Sequence, residues 1–359
     1  MDSAVGLATA AVTRARLAQA GEARPNLERP EAERRVATID ATGVATALLG
    51  VVCVAFIAMS GRNDGAPLTA IALQVRGDRG WGAMFYLWLL IPLIPLVGIY
   101  GVAESLQGLL GSRTHDPAGA LALMLAVFVT ITIANLTGAP TSITLALVGA
   151  LTGNALQQGA EVDYALLARV LLLGLLAPLV AAGIAYGLRQ LQLPATGFAR
   201  RVVLGFQRLA LPLLISAYAA NDGQKVAFVV ALALGVTVAE VASLPLWLLL
   251  GSTIFLAGVA FGLRSSGKFI RHGIAPVRSR DLLWAEAGAS LAVLGGSALG
   301  VPLSMTQSLS GAVAGVGMSR SVKSIYWRSV GRIGIAWLWT LPVAAILSYG
   351  LASLAAVIF

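Results

Sequence analysis

Gly138-Ala-Pro140-Thr-Ser142-Ile-Thr144, running on to Leu147-Val-Gly149-Ala150-Leu-Thr-Gly153, returns later in the chain. The second copy is Gly300-Val-Pro302-Leu-Ser304-Met-Thr306, followed by Leu309-Ser-Gly311-Ala312-Val-Ala-Gly315. Both copies obey the frame G-x-P-x-S-x-T and then L-x-G-A-x-x-G, and each matched position lies 162 residues from its mate (304 − 142). A second pair precedes this one: Asn63-Asp64-Gly65 and Asn221-Asp222-Gly223, offset by 158 (221 − 63). The chain is therefore a duplicated unit, and each copy sets polar residues inside apolar sequence. Transporters assembled from internal repeats are built this way.

The sequence around the motifs is membrane-like. Hydrophobic residues make up 58% of the chain, charged residues 11%, and mean hydropathy is +0.84, far from soluble-domain averages. No charge occurs from Pro117 to Ala160 or from Ala287 to Ser319. Each stretch is too long for one helix and is interrupted by its Gly-x-Pro, which predicts a membrane segment, a break and a second segment. Further apolar runs lie at 42–60, 82–103, 164–188, 203–220, 225–241, 243–262 and 333–358. The expectation is an all-α polytopic membrane protein with roughly 10–12 segments, short and broken ones included. Strands would require a closed barrel with alternating polarity, and the sequence does not alternate.

The division expected is a polar tail at 1–41, a first membrane repeat at 42–190, a basic central loop at 191–202 and a second repeat at 203–359. The tail carries Arg14, Arg16, Arg24, Arg29, Arg34 and Arg35 and no long apolar run, so it is expected to be disordered or surface-lying and not a signal peptide. The net charge of +9 resides in membrane-flanking stretches, Arg189 to Arg208, Arg264 to Arg280 and Arg320 to Arg332. Positive-inside bias explains that distribution better than nucleic acid does, and it makes the central loop cytoplasmic. Cys53 is the sole cysteine, which excludes disulfides and thiolate clusters. His115 and His272 stand in separate loops and argue against a histidine metal site.

Proline is tolerated in the first turn of a helix, and a Ser or Thr there caps free backbone N–H groups. A half-helix that begins inside the membrane aims those N–H groups and its positive dipole end at the interior, which favours an anion. Thr141, Ser142 and Thr144 in one copy, with Ser304 and Thr306 in the other, are therefore candidate oxyanion ligands. The alternative is a proline kink whose freed carbonyls are covered by hydroxyls.

Asn63, Asp64, Asn221 and Asp222 need a different explanation, because a carboxylate at the centre of a membrane helix costs at least about 2.5 kcal/mol. A bound Na⁺, a proton or a basic neighbour would offset that cost. Arg62 and Lys225 are the basic neighbours, Lys225 standing one helical turn after Asp222. Amide, carboxylate and carbonyl oxygens suit a hard cation and not zinc or copper, and the glycine that follows suits a helix break with exposed carbonyls. Placed in loops at the lipid surface, the same residues would carry no such penalty. Glu286, followed by 33 uncharged residues, is expected to face the protein interior, and Glu104 and Glu240 the membrane edge.

With these residues assembled, the chain resembles the inorganic phosphate transporter (PiT) family, which includes phosphate permeases and some sulfate permeases. That family carries a G-A-N-D motif and a P-V-S-T-T-H motif in each half. Here they read Gly61-Arg62-Asn63-Asp64 with Pro140-Thr-Ser142-Ile-Thr144-Leu145, and Ala219-Ala220-Asn221-Asp222-Gly-Gln224-Lys225 with Pro302-Leu-Ser304-Met-Thr306-Gln307. Gly267-Lys268, Glu286, Gly311, Lys323, Trp327-Arg328, Trp337, Thr340 and Pro342 also fall where the family pattern expects them. Both motif histidines are replaced, by Leu145 and Gln307; Arg62 takes a small residue's place and Pro67 that of a frequent second Asn.

The resemblance implies two inverted repeats around a central site, Gln307 joining the substrate residues, and symport of phosphate with H⁺ or Na⁺. A sulfate permease of the same family is the alternative. No cofactor is expected beyond the coupling ion, and the partners are the oxyanion, the lipid bilayer and, compatibly, a second copy in a homodimer. Arg62 stands either as a fixed cation in place of one coupling ion or as a side chain snorkelling to the membrane edge. Two rivals remain at this stage. An intramembrane aspartyl protease using Asp64 and Asp222 leaves the repeated Ser/Thr motifs unexplained, and a channel leaves the coupling residues without a task. The arginine, alanine and leucine bias suggests a GC-rich bacterial genome, hence the bacterial inner membrane.

Overall fold

A helix bathed in lipid needs no polar face, and the long helices of this chain have apolar residues all round. The computed structural model describes residues 28–76, 81–111, 116–136, 142–190, 209–272, 274–276 and 279–359, and every regular element among them is helical. The chain divides into Met1–Val44 with Phe359, and Ala45–Ile358. The candidate site lies wholly within the second of these units.

The first half comprises α1 (Glu28–Ser60), a π-helical turn (Gly61–Gly65), α2 (Ala66–Arg76), α3 (Trp81–Leu96), α4 (Gly101–Leu110), α5 (Pro117–Leu136), α6 (Ile143–Gln157) and α7 (Tyr164–Gln190). The second half opens the same way, with a helix at 209–218 (α8), a π-helical turn (Ala219–Gly223) and α9 (Gln224–Leu234). It continues as α10 (Val238–Val241), α11 (Pro245–His272), α12 (Ser279–Ala298), α13 (Met305–Met318) and α14 (Trp327–Ile358). Helices α3 and α4 bend by 66° at their junction, where Gly98 turns with φ +83°.

Among the described residues, five helical stretches are long and apolar enough to cross a membrane: Thr42–Ala70, Pro117–Leu136, Tyr164–Gln190, Pro245–Leu263 and Trp327–Ile358. The bent α3–α4 pair makes a sixth if counted as one span. The short helices α6 and α13 follow the two G-x-P-x-S-x-T motifs, while the first Asn-Asp-Gly turn lies inside the Thr42–Ala70 span. Large apolar side chains such as Phe261, Ile346 and Val357 stand exposed on α11 and α14, as lipid contact requires.

Residues 28–41 of the polar stretch are helical and continuous with the rest of α1. Pro30 suits a first helical turn, and the Ala, Glu and Arg that follow are good helix formers. Residues 1–27 and the central loop 191–202 lie outside the described residues.

The L-x-G-A-x-x-G frames are packing surfaces. On α6, Gly149 and Gly153 press against the carbonyls of Leu341 and Ala345 on α14; a Cβ at Gly149 would stand 2.3 Å from the Leu341 oxygen. On α13, Gly311 and Gly315 press in the same way against Pro178 and Ala182 on α7. The partner residues are themselves offset by 163 (341 − 178), so the duplication extends to the contacts. Each short helix packs on the long last helix of the other half, and small residues let the backbones meet.

Candidate substrate and coupling-ion site

Ser142 and Ser304 occupy equivalent places. Each has an extended backbone (φ −105°, ψ 112° and φ −91°, ψ 116°) and caps the helix that follows. The Ser142 Oγ accepts from the Leu145 N–H at 3.2 Å, and the Ser304 Oγ from the Gln307 N–H at 3.3 Å. The cap was legible in the sequence, and so was the reason: an acceptor three residues before an otherwise unpaired N–H. Capping uses the hydroxyl as acceptor and leaves its proton to be given. For Ser142 that proton has no acceptor among the described residues, while Ser304 Oγ shares one with Thr306 Oγ1 at 3.1 Å. The Gln307 side chain is buried and makes no hydrogen bond among the described residues. Thr141 lies outside the described residues.

The Asn-Asp-Gly pairs do not break their helices. Gly61–Gly65 and Ala219–Gly223 are single π-helical turns within continuous helix, flanked on both sides by residues of ordinary helical backbone. A π turn carries one surplus residue and loosens the backbone ladder, and it is often found at functional sites. Proximity to other helices contributes: a Cβ on Gly61 would meet the Phe255 carbonyl of α11, and one on Gly223 would stand 2.6 Å from the Ile91 carbonyl of α3. In the first half, Pro67 also withholds an N–H from the carbonyls one turn before it.

In the second half the polar groups form a dense net, from which only Asp222 Oδ2 stands without a partner among the described residues. Lys225 Nζ donates to Asp222 Oδ1, Thr144 Oγ1 and the Leu303 carbonyl, each at 2.9 Å. Asp222 and Lys225 are both buried, so the lysine offsets the carboxylate's burial. Asn221 Nδ2 donates to Asp222 Oδ1 at 3.0 Å and to the Leu303 carbonyl at 2.7 Å, and its Oδ1 accepts from the Leu303 N–H at 3.0 Å. Thr144 Oγ1 donates to the same carbonyl at 3.0 Å. The two G-x-P-x-S-x-T motifs therefore meet directly, and the Thr144 hydroxyl is spent on joining them. Expected as an oxyanion donor, it acts in this arrangement as a link.

The first half is sparser. Asp64 is 3% exposed, and among the described residues no cation pairs with it. It lies within electrostatic reach of Asp222 and Lys225, and α13 packs against its π turn. Asn63 Oδ1 accepts a long 3.4 Å bond from Asn135 Nδ2. Arg62 sits 5.6 Å over the Phe261 ring and forms no ion pair among the described residues, which fits a side chain directed at the membrane edge. Glu286 is buried on α12, as expected, and that helix packs against the second π turn.

Four contributors escaped the motif reading. The Leu303 backbone is the hub of the net, and no side-chain pattern marks a carbonyl. Gln224 accepts from the Val102 N–H at 2.8 Å and donates to the Ala220 carbonyl at 2.5 Å, pinning the start of α4 to the second π turn. Ser105 Oγ ties α4 to the Gly300 carbonyl at 2.5 Å. Tyr218 is fully buried within electrostatic reach of both aspartates, its hydroxyl without a hydrogen-bond partner among the described residues. Only Gln224 carried a sequence signal, its place beside Asn-Asp-Gly.

Residues 198–348 match the model of the phosphate transporter family. The chain resembles the phosphate transporter family. A probable low-affinity inorganic phosphate transporter of Rhizobium meliloti (strain 1021) is 25% identical over 86% of this chain and 97% of its own length. A protein of the same description from Mycobacterium bovis is 31% identical, over 42% of this chain and 39% of its own length. In fold, the chain superposes on a solved sodium-dependent phosphate transporter with a TM-score of 0.70, at 19% identity, covering 88% of this chain and all of the other. The relatives named here are described as transporters and none as a protease.

Proposed function

We propose that this chain is a secondary transporter that carries inorganic phosphate across a bacterial plasma membrane together with H⁺ or Na⁺. The observation that carries this reading is the meeting of the two repeated motifs. Thr144 of one bonds the Leu303 carbonyl of the other, which sets two Ser-capped helix N-termini and an Asn-Asp turn from each half around one buried region. Phosphate needs several donors and little competing negative charge, and helix N-termini with free hydroxyl protons supply that. In this reading Ser142, Ser304, Thr306 and Gln307 bind the oxyanion, and Thr141 is assigned to the same task from the sequence motif alone. Asn63 and Asp64 handle the coupling cation, while Asn221, Asp222 and Lys225 hold the second motif in register. The repeats are inverted, so the two caps approach the oxyanion from opposite sides of the bilayer.

Radiolabelled phosphate and sulfate uptake into proteoliposomes, under an imposed Na⁺ or H⁺ gradient, tests this. Concentrative phosphate uptake driven by one of the two gradients is the expected result. Sulfate uptake alone would make the chain a sulfate permease, and downhill flux without a gradient requirement would make it a channel.

A further inference from the structure

We infer that the Lys225 ammonium is a tethered cation that fills the second-half cation position permanently, leaving the Asp64 position as the one open to a free ion. The geometry is that of a cation site. A carboxylate oxygen, a hydroxyl oxygen and a backbone carbonyl converge at 2.9 Å each on one positive centre, with no water-exposed edge: Lys225 is 1% exposed and Asp222 fully buried. These are the ligand types a hard cation takes. An ammonium supplies the same charge with three fixed donors and cannot leave, because its stem belongs to α9.

The other half lacks the tether. The residue that stands to Asp64 as Lys225 stands to Asp222 is Pro67, which has neither charge nor N–H. Arg62, the nearest cation in sequence, is stacked on Phe261 instead of paired with Asp64. Asp64 is nonetheless buried, with no ion pair among the described residues, and a buried carboxylate left so is costly. A mobile ion at Asp64 removes that cost whenever it binds, and the fixed Lys225 charge nearby holds the site to one such ion by repulsion. The asymmetry converts a two-ion design into one with a single exchangeable cation.

The inference rests on the transporter reading only for the word coupling, since ion binding is measured without transport. Equilibrium binding of radioactive Na⁺ to purified full-length protein should give at most one ion per chain, and Asp64→Asn should abolish any ion seen. Two ions per chain in the wild type would overturn the inference, whatever the variants do. Lys225→Asn should gain one Na⁺ per chain, seen also as a rise in melting temperature in NaCl over choline chloride. The double variant Asp222→Asn/Lys225→Asn should lose that gain. A folded Lys225→Asn protein that gains no Na⁺ would likewise sink it. Failed phosphate uptake alongside a gained Na⁺ would count against the transporter reading and leave this one standing.

Discussion

The two Asn-Asp-Gly turns share a backbone and differ in almost everything attached to it. Both are π-helical turns with helical flanks, each pressed by a glycine against a helix of the other half. The second is the more fully bonded: Asp222 has a lysine on Oδ1, although its Oδ2 has no partner among the described residues, Asn221 uses both ends of its amide, and the hub is a main-chain carbonyl that no substitution can remove. The first keeps a buried carboxylate with no ion pair among the described residues and an asparagine with one long bond. Duplication has preserved the scaffold while three residues, Arg62, Pro67 and Lys225, redistributed the charge. One half spends its polar groups on one another, and the other leaves more of them unspent.

The sharpest way to break that contrast is to remove a charge from each turn. Lys225→Met should strand Asp222 and destabilise the protein by about 3–5 kcal/mol, the cost of opening a buried ion pair. Asp64→Asn should leave the melting temperature in detergent close to wild type, and cation-driven uptake should vanish. Comparable destabilisation by the two variants would mean that the turns are equivalent after all.

Next in size are the asparagines. Asn221→Ala leaves the Leu303 N–H without its partner and strips its carbonyl of one donor, a loss of about 1–3 kcal/mol, whereas Asn63→Ala should cost under about 1 kcal/mol. Urea or thermal denaturation of both variants in the same detergent provides the comparison. A larger effect at Asn63 would reverse the assignment of the more fully bonded half.

The serine caps should behave alike, because their geometry is alike. Ser142→Ala and Ser304→Ala each lose a cap worth about 1 kcal/mol. In uptake, each should also raise apparent KM for phosphate by roughly 5- to 150-fold through loss of one donor to a desolvated oxyanion. Unchanged KM with lowered abundance in both variants would reduce the serines to caps alone. Smallest of all, Arg62→Gln should cost no more than about 1 kcal/mol, the worth of an exposed cation–π contact. Loss of Na⁺- or H⁺-driven uptake in that variant would place Arg62 in the site.

Much of this was written in the sequence, and what was not has a common physical cause. Helix class, the motif-bearing short helices and the serine caps follow from hydropathy, proline placement and the N-cap rule. Lys225 as partner of Asp222 follows from helical spacing. The Asn-Asp-Gly turns were expected as helix breaks and are π turns, because glycine permits a break but only the packing against α3 and α11 decides the form. Thr144 was expected to face the substrate and is turned to Leu303, because a hydroxyl's direction depends on an acceptor 159 residues away. Local patterns specify local backbone; the sharing of hydrogen bonds between halves is set only when both are folded.

The swapped glycine contacts set an order of assembly. Helix α6 finds the carbonyls that fill its small-residue face on α14 of the second half, so that face has no native partner until the second half has been made. Its counterpart α13 meets α7, which is made before it. The small-residue face behind the first capped N-terminus is therefore filled only after the second half is in place. A half-made chain holds apolar helices but not yet the contacts that join the two motifs.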